Sequence, residues 1–280
     1  MSQAGAGPIL LVGAGRMGSA LLKGWLAQGI APDRIFVQEP SLADEAAALI
    51  RDAGIGTGTP PALPAAPAVV VLAVKPQAMD DVLPPLGGLT GPETLVISIA
   101  AGTTVANIVR HFASDTAIVR AMPNTPAAIG RGITALYANG FVLPEQRETC
   151  AALLGVVGET VWIADEAQMD AVTALSGSGP AYVFLLAECM AKAGEAAGLV
   201  PDLAAKLARA TVSGAGELLR LSDLDSAELR RNVTSPGGTT AAALSALMGD
   251  EQGGGRGPME EFLRKAVEAA ARRSRELAGG

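Results

Sequence analysis

The amino-acid sequence predicts two halves of different class: a mostly parallel α/β sheet domain over residues 1–164 and an all-helical domain over residues 165–280. Three observations predict this division. Short, uniformly apolar runs alternate with helical patterns as far as Ile163, and such alternation builds βαβ units around a sheet covered on both faces. A glycine turn follows directly on the first apolar run. Beyond Ile163 the strand signal ends and long helical patterns take over.

Ile9–Val12 reads as the first strand, followed by a glycine turn and a helix from about Ser19 to Gln28. Arg34–Glu39 is a second strand, and Leu42–Asp52 a helix stopped by Gly54. Gly56–Pro67, rich in Pro, Gly, Thr and Ala, reads as a loop inside the first domain. Val69–Val74, Thr94–Ile99 and Ala117–Ala121 are buried strands, with a helix at Thr104–Phe112; Ile133–Tyr137 and Thr160–Ile163 close the sheet. The second half predicts helices at Ala181–Ala197, Pro201–Leu219, Ala241–Met248 and Met259–Leu277, with a short glycine-rich loop at Gly253–Gly257. These helices are too apolar to stand alone and are expected to pack into another subunit.

The 280 residues carry a net charge of −7, which disfavours nucleic acid as a partner, since neutralising phosphates needs a basic surface. The longest apolar stretch, Ala68–Val74 between Pro67 and Lys75, is too short to span a bilayer, so no membrane partner is expected. Met1–Pro8 lacks the basic segment and apolar core of a secretory leader, and a cytoplasmic protein is expected. Cys150 and Cys189 show no paired spacing, and His111 is the one histidine. No disulfide framework, metal site or Ser-His-Asp triad is implied.

Gly13-Ala14-Gly15-Arg16-Met17-Gly18 links the first strand to the first helix. Gly13 permits the tight turn, Gly15 lets a pyrophosphate approach the backbone, and Gly18 allows close helix–strand packing. The helix N-terminus offers N–H groups and partial positive charge to the phosphates. This is the Rossmann fingerprint. Glu39 ends the second strand, 21 residues after Gly18. An acid there accepts the ribose hydroxyls and repels a 2′-phosphate, which favours NADH; Arg34 and Arg51 are placed to offset that repulsion. Ala73-Val74-Lys75-Pro76, Ser98–Gly102 with Ala100 at its centre, and Met122–Pro126 with Asn124 end three further strands, where the ligand crevice of a parallel sheet lies.

Ser235-Pro236-Gly237-Gly238-Thr239-Thr240 precedes an apolar helix. Unpaired helix-start amides, glycines that clear the backbone and hydroxyls at Ser235, Thr239 and Thr240 suit a small carboxylate. The same pattern also serves an ordinary N-cap loop. Leu175–Tyr182, with Ser178, opens another helix in a similar way.

Taken together, GAGRMG at 13–18, AVKP at 73–76, AAG at 100–102, MPNTP at 122–126, LSGSGPAY at 175–182, NVTSPGGTT at 232–240 and RSREL at 273–277 resemble pyrroline-5-carboxylate reductases over nearly the whole chain. The two long motifs in the second half are the specific ones. The resemblance implies a Rossmann domain followed by a helical substrate-binding and dimerisation domain, forming a homodimer that often gathers into a decamer. It implies hydride transfer from NADPH or NADH to the imine carbon of 1-pyrroline-5-carboxylate, giving L-proline. It places the substrate on Asn232, Gly237, Gly238, Thr239 and Ser178, with Ser235 and Thr240 catalytic and Thr240 nearest the ring nitrogen. It places the cofactor along Gly13–Gly18, Glu39, Ala73–Pro76, Ala100, Asn124 and Asn232. Glu39, and the lack of Asn in residues 55–67, depart from relatives that take NADPH, and Gly253–Pro258 is longer than the usual turn.

Two other readings use the same cofactor turn. A β-hydroxyacid-type dehydrogenase needs a G-x-x-x-K lysine, and none of the five lysines has glycine four residues before it. A non-catalytic dinucleotide sensor would not need the SPGGTT segment.

Overall fold

A computed structural model describes residues 7–58, 62–249 and 257–278. The strands are β1 (Ile9–Val12), β2 (Ile35–Gln38), β3 (Gly56–Thr57), β4 (Val69–Leu72), β5 (Leu95–Ser98), β6 (Ala117–Met122), β7 (Gly132–Ala138) and β8 (Gly158–Trp162). The helices of the first half are α1 (Arg16–Ala27), α2 (Asp44–Ala53), α3 (Met79–Val82), α4 (Pro84–Gly87), α5 (Val105–Val109), α6 (Pro144–Gly155) and α7 (Met169–Val172). Those of the second are α8 (Gly179–Ala196), α9 (Pro201–Leu221), α10 (Ser226–Asn232), α11 (Thr239–Met248) and α12 (Pro258–Ala278).

One eight-stranded sheet runs in the order β3-β2-β1-β4-β5-β6-β7-β8. Every pairing is parallel except β6 with β7. The reversal follows from chain length. Between β6 and β7 lies only a 3₁₀ turn at Thr125–Ile129 closed by Gly130 at φ +69°, too short for the crossover of about a dozen residues that a parallel return takes.

Alternation along each strand fills two cores. Ile9, Leu11, Ile35 and Val37 face Leu21, Leu22 and Trp25 of α1, Ile50 of α2 and Leu153 and Leu154 of α6. Leu10, Val12, Val70, Leu72 and Val96 face Met79, Leu83, Leu86 and Ile108 on the opposite side. Each such side chain contributes about 1.5–3 kcal/mol on burial. Trp25 is fully buried, and its indole N–H donates to the Leu153 carbonyl at 2.8 Å, which satisfies its one polar group.

The structure corrects the sequence reading at several points. Gly56–Thr57, read as loop, pairs with β2 as a short edge strand, because two residues carry no periodicity; residues 59–61 of that segment lie outside the described residues. α1 begins at Arg16, not Ser19. The helices at 79–82, 84–87, 144–155 and 226–232 carry no strong apolar period and were not expected. Four of the glycine-rich residues before the last helix, 253–256, lie outside the described residues.

The chain divides into two compact units, residues 7–177 with 271–278, and residues 178–270. The sequence set the boundary at 164/165. Residues 165–177 go with the sheet because Met169 and Ala174 are buried and Glu166 is ion-paired to Arg120 of β6. In the second unit, α8 packs on α9 through small residues, with Gly194 against Ala204. Among its described residues only Ala204 and Ala208 are buried, while Phe184 is 64% and Phe262 71% exposed. A helical unit with so little core requires a partner surface. Among the described residues no helix is long and apolar enough to cross a membrane.

Candidate functional site

In the sheet unit, the ends of β1, β4, β5 and β6 fall on one edge because these strands run parallel. That edge gathers Gly13–Gly18, Ala73–Pro76, Ala100 and Asn124. The three glycines of the turn have three different surroundings. Gly13 sits at φ +98°, and a Cβ on it would lie 2.7 Å from the Ala73 carbonyl oxygen. A Cβ on Gly18 would lie 2.2 Å from the Gly13 oxygen. A Cβ on Gly15 would meet nothing within 4 Å. Gly13 and Gly18 are therefore glycine for the fold, whereas Gly15 opens on empty space at the start of α1, where no side chain caps the helix. Exposed first-turn amides beside a bare glycine fit a dinucleotide pyrophosphate. Ala14 is buried, Met17 half-buried and Arg16 exposed.

Glu39 accepts the Ala14 N–H at 3.0 Å through Oε2 and the Ser41 N–H at 3.1 Å through Oε1. It thereby ties the end of β2 to the glycine turn, a role that spacing alone does not reveal, and its remaining lone pairs are available to ribose hydroxyls. Lys75 is exposed and precedes the 3₁₀ turn at Pro76–Ala78, while Ala73 and Val74 are half-buried. Ala100 is 5% exposed. Asn124 uses both ends of its side chain within the protein: Oδ1 accepts the Ile133 N–H at 3.0 Å and Nδ2 donates to Ser176 Oγ at 3.2 Å. That makes it a brace between β7 and the turn at Thr173–Gly177.

In the helical unit, α11 starts at Thr239 with Gly238 as its N-cap and no side chain capping it. The amides of its first turn thus lack intrahelical acceptors. Gly237 lies at φ +69°, and Gly238 N–H donates to the Ser235 carbonyl at 3.0 Å. A Cβ on Gly238 would lie 2.5 Å from Ser235 Oγ, so the positive φ of Gly237 calls for glycine, and a side chain at 238 would displace the Ser235 hydroxyl. Ser235 and Thr239 are exposed and Thr240 half-exposed, just after Asn232 at the end of α10. Ser178 caps α8 through its backbone, its carbonyl accepting the Ala181 N–H at 3.0 Å.

Two other reactive groups lie elsewhere in the sheet unit. Burial pushes the Cys150 thiol far up, which keeps it protonated and inert. His111 Nε2 lies 3.3 Å from Asp80 Oδ1. Among the described residues no group of three or more His, Cys, Asp or Glu could hold a metal. The pairing of buried Arg120 with Glu166 was missed from sequence, although one arginine inside the apolar run of β6 is a visible signal.

A parallel sheet with a bare-glycine helix start at its carboxyl edge defines the class: a Rossmann dinucleotide-binding oxidoreductase. Residues 8–102 match the family model for NADP oxidoreductase, coenzyme F420-dependent, and residues 166–277 match that for pyrroline-5-carboxylate reductase dimerisation. The chain belongs to the pyrroline-5-carboxylate reductase family. It is 43% identical to the pyrroline-5-carboxylate reductase of Pseudomonas aeruginosa over 96% of each chain, and 39% identical to that of Pisum sativum over 95% of this chain and 94% of the relative. The Coxiella burnetii enzyme's structure superposes with a TM-score of 0.87 at 36% identity, covering 97% of this chain and 98% of the other. The Plasmodium falciparum pyrroline carboxylate reductase with NADP bound gives 0.75 at 29% identity, with the same coverage.

Proposed function

We propose that this chain transfers hydride from NAD(P)H to the imine carbon of 1-pyrroline-5-carboxylate, giving L-proline in the last step of proline biosynthesis. The observation that carries the substrate assignment is the uncapped start of α11 behind Gly237 and Gly238. The full-length similarity to pyrroline-5-carboxylate reductases supports it.

A bound nicotinamide supplies the hydride. Gly15 and the first amides of α1 hold its pyrophosphate, Glu39 its adenosine ribose, and Ala73, Val74, Lys75, Pro76 and Ala100 flank it along the sheet edge. Asn124 keeps its loop in place. The amides at Thr239 and Thr240, with Ser235 Oγ and the glycines, hold the substrate carboxylate, which the helix dipole favours. Asn232 and Ser178 border the same cradle. Thr240 Oγ hydrogen-bonds the ring nitrogen and orients it. A protonated imine is already a strong acceptor, so orientation does most of the catalysis and no histidine is required. We include in the proposal a homodimer through the helical unit, with decamers as higher assemblies. A cytoplasmic location is part of it too, supported by two free cysteines, as suits a reducing compartment.

Thr240→Ala is expected to lower kcat/KM by about tenfold or more while dinucleotide affinity is retained, the scale of one lost hydrogen bond to a reacting group. Steady-state kinetics with a separate binding titration check it, and unchanged turnover would remove Thr240 from the chemistry. Glu39→Ser is expected to shift the NADPH-to-NADH ratio of kcat/KM roughly tenfold toward NADPH by removing a charge that repels the 2′-phosphate. The ratio is the readout, because the variant also loses the acceptor for the Ala14 and Ser41 amides. A constant ratio would show that Glu39 acts on the turn alone.

A further inference from the structure

The most buried charge of the sheet belongs to neither the glycine turn nor the cradle. Arg120 on β6 is 4% exposed, between Val119 and Ala121. Its Nη1 donates to Glu166 Oε1 at 2.9 Å, and the same oxygen accepts the Val105 N–H at 2.9 Å, at the start of α5. Four residues further on, Asp170 Oδ1 accepts from the Ser274 hydroxyl at 2.6 Å, with Ser274 only 5% exposed. Leu277, one turn beyond Ser274 on α12, lies against Gly102: a Cβ there would be 3.6 Å from that of Leu277.

These contacts enclose one segment. Residues 100–102 follow Ser98, which pairs with Arg120 in the sheet. Thr104 then caps α5 by accepting the Asn107 N–H at 3.2 Å. The segment is thus anchored at β5, clamped by Glu166 at Val105 and covered at Gly102 by the end of α12. The guanidinium is buried while the Glu166 side chain is 25% exposed; taking an arginine out of water for one such partner gains little net stability over an apolar side chain of the same size, so stability alone is a poor reason for a charge inside β6. What the pair provides is direction: one charge-assisted hydrogen bond from Arg120 Nη1 holds the Glu166 oxygen that accepts the Val105 amide.

We propose that Glu166 and Arg120 are positioning residues that preset the Ala100–Gly102 loop for the dinucleotide, with Asp170 and Ser274 holding the end of α12 over it. This rests on the reading above that Ala100 lines the cofactor. It makes the stretch from 166 to 170, where the dimerisation family match begins, part of the cofactor apparatus.

The test uses the full-length protein and two double variants. Arg120→Met with Glu166→Met removes the clamp without stranding a charge. Arg120→Met with Glu166→Gln restores an acceptor for Val105 N–H. For the first, the Kd and KM for NADH and NADPH are expected to rise about tenfold as the loop loses preorganisation, with the KM for pyrroline-5-carboxylate changed less than about twofold. The second is expected to recover most of the dinucleotide affinity. Unchanged dinucleotide Kd in the first variant, or no recovery in the second, overturns the proposal. If the first variant does not fold, Ser274→Ala decides: a rise of about threefold in dinucleotide KM alone supports the proposal, and no change overturns it. Dinucleotide Kd is measured by titration without substrate, so it stays readable even if the wild-type chain were inactive on pyrroline-5-carboxylate; that inactivity would count against the proposed function only.

Discussion

Replacing Gly15 by valine is expected to raise the Kd for NADH and NADPH about 100-fold or more, a loss of about 2.7 kcal/mol, while the melting temperature moves by less than about 2 °C. The two readouts separate because of where Gly15 stands. Its φ of −67° and ψ of −165° are ordinary extended backbone, and an added Cβ meets nothing within 4 Å beyond its chain neighbours. The space it fills is the approach of a pyrophosphate to the first amides of α1. The neighbouring glycines predict the opposite pattern. Gly13→Ala places a side chain at φ +98° and 2.7 Å from a carbonyl oxygen, and Gly18→Ala one at 2.2 Å, so each is expected to cost the fold roughly 1–3 kcal/mol or more. Titration calorimetry and thermal melts on the three variants check the contrast. A Gly15→Val protein that binds dinucleotide normally would move the cofactor away from this turn.

Phe184→Asp is expected to abolish the assembly and, with it, activity. Phe184 stands 64% exposed on α8, near exposed Val183, Leu185, Leu186 and Met190. Covering such a ring contributes about 1.5–3 kcal/mol, and burying an unpaired carboxylate instead costs several more. In a two-fold interface each change counts twice. Activity follows because the helical unit buries only Ala204 and Ala208 among its described residues; without a partner it has no core to keep the Gly237–Gly238 turn in shape. Sedimentation equilibrium is expected to give the monomer mass with lost turnover. A variant that keeps both its mass and its activity would place the interface on another face.

The sheet half was legible because its strands are apolar on both sides and its helices are not, and because Gly13, Gly15 and Gly18 each answer a separate steric demand. Strand direction was not legible. Nothing in Gly132–Ala138 says that β7 runs against β6; the short link through Thr125–Ile129 decides it. α6 was missed because Pro144–Gly155 opens on a polar run and has little amphipathic contrast. Residues 165–177 group with the sheet in the compact units, through buried Met169 and Ala174 and the reach of Glu166 to Arg120 and Val105, contacts that sequence separation conceals. In the site, Glu39 was read as a ribose acceptor from its place at a strand end, whereas its bonds to the Ala14 and Ser41 amides came only with the fold. Asn124 was read as a cofactor contact, and its bonds to Ile133 and Ser176 came only with the fold. The carboxylate cradle could not be told from a plain helix cap on chemistry alone; the resemblance of SGSGPAY and SPGGTT to one reductase family pointed the way.

Steady-state oxidation of NADH and NADPH in the presence of 1-pyrroline-5-carboxylate, with L-proline measured alongside, tests the central claim most directly. The predicted result is cofactor oxidation and proline formation in equal amounts, with no oxidation of a 2-hydroxyacid in the reverse assay. Tight dinucleotide binding with no proline formed from either cofactor would contradict it.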